Sequence, residues 1–131
     1  LEWTEMDDPS PKKGEVRIAV KAAGVNFPDT LIIQDLYQIK PPRPFAPGGE
    51  VSGVIEELGA GVDGWAVGDR VIAMTGFGGF VTKICVPARA LLKMPDDMPF
   101  EEALWGIVSI PCCQDRVRLS NIFCLIIFLI R

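Results

Sequence analysis

Histidine is absent from this 131-residue chain, and tyrosine occurs once. The missing imidazole removes the side chain most often used as a general base near neutral pH. Cysteine is sparse, at positions 85, 112, 113 and 124. A four-thiolate zinc site would need all of them, yet neighbours such as Cys112 and Cys113 rarely both reach one tetrahedral ion. Small apolar side chains in a reducing cytosol are the simpler reading, and a cytoplasmic location follows. Long hydrophobic runs are missing too. The greasiest stretch, residues 122–130, has nine residues, whereas a membrane-crossing helix needs about 20. Residues 1–15 are acidic and interrupted by Pro9 and Pro11, so they are not expected to act as a secretory leader.

What is present is ordinary in bulk. The chain is 49% apolar and 23% charged, which suits one globular core and argues against disorder. Its net charge of −4 is uneven: residues 105–131 hold one aspartate and three arginines. The rest therefore carries −6. An acidic body without a clustered basic face speaks against nucleic-acid binding.

The most informative stretch is FAPGGEVSGVIEELGAGVDGWAVGDRVI, residues 45–72. Val51, Val54 and Ile55 suit a pleated, half-buried surface, and Gly53 admits a close backbone approach. Gly59, Gly61 and Gly64, with Asp63 among them, offer positive-φ positions for a reversal. Gly68-Asp69 marks a second turn before a strand at residues 70–74. Two strands with glycine-hinged turns predict a bent unit of a barrel.

Along the chain, residues 1–6 read as a short strand and residues 7–14 as a surface turn. Residues 15–23 alternate cleanly, with Val16, Ile18 and Val20 on one face, and the strand should end at Gly24. Val25 to Asp29 reads as a loop, with Asp29 capping a helical turn through Leu36. Four prolines in residues 40–47 predict an extended arm. Residues 75–79 read as a flexible loop, and residues 80–86 and 91–94 as further strands. A helix should begin at Phe100, with Glu101 and Glu102 at its positive end. The pattern is mainly β, an open barrel with short helices.

These motifs, VKAAGVNFPDTL (20–31), PGGEVSGVIEELGAGVDGWAVGDRV (47–71) and GGFVTKICVPARALLKMPDDMPFEEA (78–103), together resemble the N-terminal domain of medium-chain dehydrogenases/reductases. Within that superfamily they look most like the zinc-free NADPH:quinone oxidoreductase branch, related to zeta-crystallin. The resemblance covers residues 1–104 and implies a GroES-like, partly open β-barrel (the alcohol dehydrogenase-like N-terminal domain) whose first strand is missing. It implies hydride transfer from NADPH to a quinone or conjugated carbonyl, in a family that is commonly homo-oligomeric. Zinc-dependent relatives carry a cysteine and a Gly-His-Glu where this chain has Asn26 and Gly49-Glu50, so the resemblance implies no metal. By motif match Asn26 would lie beside the nicotinamide and Tyr37 at the cleft mouth against the substrate. Leu31 stands where some relatives have a second tyrosine.

Plainer roles stand beside these. Asn26 can be a loop residue in an unusual backbone angle. Tyr37 can be a packed aromatic, Asp29 a helix cap, and Glu50 a structural carboxylate.

A dinucleotide fingerprint, a strand leading through a glycine-rich turn into a helix, is not in the sequence. GAG at 59–61 and GFGG at 76–79 are too short and sit between strands. Residues 105–131 change character and are expected to be non-family sequence from a shifted frame or retained intron, with the chain starting inside a longer protein. The expectation is thus an N-terminal piece of a quinone-reductase-like enzyme, inactive and aggregation-prone alone, which binds no coenzyme tightly. The alternative is a non-enzymatic module that docks a partner through its barrel edge and apolar tail.

Overall fold

The computed structural model describes residues 1–109 and 126–129, with side chains through Leu104. Most of the 105–131 tail therefore lies outside the described residues. The elements run β1 (Glu15–Val25), α1 (Phe27–Ile32), β2 (Glu50–Leu58), β3 (Arg70–Met74), β4 (Lys83–Pro87), β5 (Leu91–Lys93), α2 (Phe100–Ser109) and β6 (Ile126–Leu129), with one 3-10 turn at Ala88–Ala90.

The strands form one sheet in the order β4-β1-β2-β3-β5, and β6 adds to the far half of β1. Every described pairing is antiparallel. The path begins at β4 and ends at β5, so the sheet is a partly open barrel, as the spacing of strands and turns suggests.

β1 is the backbone of the assembly. Its first half alternates as expected, with Val16, Ile18 and Val20 buried. The alternation survives a first β1–β2 register slip between Arg17 and Ile18 and breaks at a second, between Val20 and Ala22. Ala22, Ala23 and Gly24 are all buried, and the strand continues through Gly24 to Val25. Gly24 was expected to end it. Instead Gly24 pairs with Glu50, and its lack of a side chain lets two polar groups meet above it.

Neighbouring residues of β3 divide between two apolar clusters. Val71 and Ala73 join Val16, Ile18, Val51 and Ile55, while Ile72 joins Ala22, Met94, Ala103 and Leu104. That division is the period-2 alternation of a strand covered on both faces. α2 lies over β1 and β2 on the second face. Its first turn is anchored where the Ser52 hydroxyl donates to the Phe100 carbonyl at 2.7 Å.

Gly53 does what the sequence indicates, since a Cβ there would overlap the Ala19 carbonyl. Gly61 and Gly64 have positive φ. Gly59 does not, and the expectation of a left-handed angle there is corrected: a Cβ would strike the backbone carbonyls of Lys12 and Glu15. Residues 1–6 form no strand. Leu1, Trp3 and Met6 stay exposed, and the arm is held further along. Lys83 pairs with Asp8, and Arg17 donates to the Pro9 carbonyl. Residues 80–82 likewise lie outside a strand, which starts only at Lys83.

Candidate functional site

The end of β1, the start of α1 and the start of β2 converge on Asn26. Asn26 is the N-cap of α1, with φ −116° and ψ 159°. That is ordinary extended backbone, so the idea of an unusual angle is corrected. Pro28 follows in the first turn, where its missing N–H costs nothing.

Asp29 is buried, and it caps the helix start from within, as the acidic member of a capping box with Asn26. It sits at the third helical position, not at the cap. Its Oδ2 accepts the Asn26 backbone N–H at 2.8 Å, and its Oδ1 accepts the Gly48 N–H at 3.0 Å. One carboxylate thus ties the helix start to the proline-rich arm. α1 stops at Ile32, short of the expected Leu36, and Asp35 turns the chain with φ 60°.

Gly48 closes the other side. Its φ of +98° and the Phe80 ring against it leave no room for a side chain. The Thr75 hydroxyl donates to the Gly48 carbonyl at 2.9 Å, so the loop after β3 is fastened to the arm before β2. Phe45 and Phe77 meet edge to face across the same seam, with centroids 6.4 Å apart.

Glu50 is the least expected member. Its side chain lies at the start of β2 and is only 8% exposed, and its Oε2 has no hydrogen-bond partner. Burial pushes its pKa above the ordinary glutamate value, a hydrogen bond from the Asn26 side chain pulls it down, and the Asp29 charge adds a further upward push. A Cβ on Gly24 would lie 3.3 Å from Glu50 Oε2 and 3.6 Å from Asn26 Nδ2. The amide nitrogen and the orphan oxygen therefore border the same small gap. Asn26 and Asp29 form a capping box, with the Asp29 carboxylate on the Asn26 backbone N–H and the Asn26 side chain on the Asp29 backbone N–H.

Tyr37 is half-buried in the loop between α1 and β2. Among the described residues it makes no side-chain hydrogen bond and no ring stack. No three His, Cys, Asp or Glu side chains among the described residues group as metal ligands would. Cys85 is no activated thiol, since burial pushes its pKa up.

The amide and carboxylate can exchange a proton-dependent hydrogen bond, and the amide can both donate and accept. Such a group can orient a polar planar ligand. No described strand leads through a glycine turn into a helix of the kind that holds a pyrophosphate.

Comparison with known proteins fits this geometry. Residues 12–96 match the family described as alcohol dehydrogenase GroES-like domain. The chain belongs to that family, as an N-terminal domain of the medium-chain dehydrogenase/reductase type. Over 95 residues it is 42% identical to the human synaptic vesicle membrane protein VAT-1 homolog-like, covering 72% of this chain and 23% of that protein. The chain thus spans about a quarter of the length of the curated relatives it matches. A solved quinone oxidoreductase from Pseudomonas syringae pv. Tomato DC3000 superposes with a TM-score of 0.78 at 30% identity, over 92% of this chain and 38% of that one. A mycobacterial protein solved in complex with NADPH gives a TM-score of 0.74 at 31% identity, over 90% of this chain and 38% of that one.

Proposed function

We propose that this chain forms the cleft-walling part of a two-part reductase, in which NADPH bound by a separate unit would supply hydride to a quinone or conjugated carbonyl. The observation that carries this reading is the polar pair Asn26–Glu50 at the β1–α1 junction, in a domain whose relatives include a quinone oxidoreductase and an NADPH complex. Asn26 orients the nicotinamide end of the coenzyme through its side-chain amide. Tyr37 lies at the cleft mouth with its ring toward the substrate. The chain itself supplies shape and hydrogen bonds rather than a metal ion. No described helix is long and apolar enough to cross a membrane, and a cytoplasmic location belongs to the same proposal.

The test is a chimera joining residues 1–104 to the coenzyme-binding domain of the P. syringae relative. It should oxidise NADPH in the presence of a quinone, and N26A should lower kcat/KM by roughly 10- to 100-fold. An N26A chimera as active as its parent would remove Asn26 from the site. The interaction-module reading relies on the apolar tail, whose Ile126–Leu129 backbone is already paired to β1, so the reductase reading is preferred.

A further inference from the structure

The arm before β1 carries Asp7-Asp8-Pro9-Ser10-Pro11-Lys12-Lys13, a stretch the proposed chemistry does not use. Ser10 is exposed and lies in no helix or strand, and among the described residues its hydroxyl makes no hydrogen bond. Of all the serines and threonines in the chain, it alone precedes a proline. Pro11 has no N–H to leave unpaired and keeps Ser10 in extended backbone, the form in which a kinase cleft takes a peptide. The flanking charges select among kinases. Asp7, three residues before Ser10, repels the acidic subsite of a kinase that reads upstream arginine. Lys13, three residues after it, repels the basic subsite of one that reads downstream acids. A proline next door with lysines beyond it suits a proline-directed kinase.

We propose that Ser10 is a phosphorylation site for a proline-directed kinase and that its phosphate releases the N-terminal arm. The γ-phosphoryl group of ATP passes to Ser10 Oγ: one O–P bond forms, the bond to the ADP oxygen breaks, and the hydroxyl proton goes to the kinase's aspartate base. Release follows from the charges that hold the arm. Lys83 pairs with Asp8 and Glu56, and Arg17 pairs with Glu56 and Glu57. These two cations therefore already face three carboxylates. Arg17 Nη1 also donates to the Pro9 carbonyl at 3.3 Å, which among the described residues is the arm's backbone tie to the body before Lys12. A phosphate on Ser10 adds about −1.5 to −2 charge at pH 7, two residues from Asp8 and one from that carbonyl. Lys12 and Lys13 are exposed beyond Ser10 and offset only part of it. Glu56 and Glu57 are fixed in β2, so the arm is the anionic member that can leave. Its exposed Asp8–Lys83 pair offers little resistance.

The test incubates the whole 131-residue chain with magnesium ATP and a purified cyclin-dependent kinase, with a free peptide of residues 4–14 as the reference. Mass spectrometry should place one phosphate on Ser10, with kcat/KM within about tenfold of the peptide's, and P11A should lower that value by about tenfold or more. Ser10 and Pro11 lie outside every element, so S10A, which should take no phosphate, and P11A both keep the fold. A chain that gains no phosphate on Ser10 overturns the site, whether or not the peptide is modified. The phosphorylated chain is then compared with the unmodified one by NMR. The heteronuclear NOEs of residues 4–9 should fall while those of β1 hold. Values for residues 4–9 that match the unmodified chain would contradict the release of the arm.

Discussion

A buried carboxylate whose pKa is raised makes folding sensitive to pH in a defined direction. Glu50 in the folded chain holds its proton to higher pH than in the unfolded chain. Its contribution is therefore fully present below the ordinary glutamate pKa and is lost as pH rises through the folded value. Urea unfolding of the wild type should show that decline, and E50Q should flatten it and raise the urea midpoint at neutral pH. Asp29 should behave differently, because it satisfies two backbone donors that would otherwise be orphaned. D29A should cost roughly 2–3 kcal/mol, read as a lower urea midpoint at unchanged slope. The sequence made Asp29 and Glu50 visible as structural candidates, but not their geometry. Asp29 reads as a cap because Asp favours that position, whereas only the fold shows that Asn26 holds it. That Glu50 is buried near Asn26 depends on Gly24 pairing with it, a register no local pattern contains.

At the scale of elements, the connector from β5 to α2 is held by one side chain. Arg70 donates to the backbone carbonyls of Pro95, Asp96 and Met98, and its guanidinium lies 4.4 Å from the centroid of the Phe100 ring. A lysine has neither the fork nor the flat face. R70K should therefore cost nearly as much as R70A, about 1–3 kcal/mol, by thermal or urea unfolding. From the sequence Arg70 is merely part of the Gly-Asp-Arg-Val turn, since its partners lie some 25 residues on. β1 was legible through Val20 because strict alternation continues that far. Beyond it the β-bulge rewrites which residues face inward, so Ala22 to Gly24 could not be assigned from period 2. The supposed strand at residues 1–6 fails for a different reason. Its alternation is real, but no sheet edge receives it, and the arm is held by Asp8 and Pro9 instead.

At the scale of the whole molecule, a one-sheet antiparallel body with ends at β4 and β5 explains both the family match and what the chain is proposed to need. Antiparallel strands joined by turns make a wall. A dinucleotide crevice needs parallel strands feeding helices, and the described pairings include none. The fold class was readable because glycine turns, β-branched runs and proline breaks agree with one another over residues 12–96. Tyr37 was not, because its proposed place depends on a substrate and a second wall. Titration of NADPH into the 131-residue chain by calorimetry tests the central claim most directly. The expected result is no saturable binding tighter than about 1 mM, and a Kd near 1 μM would contradict it.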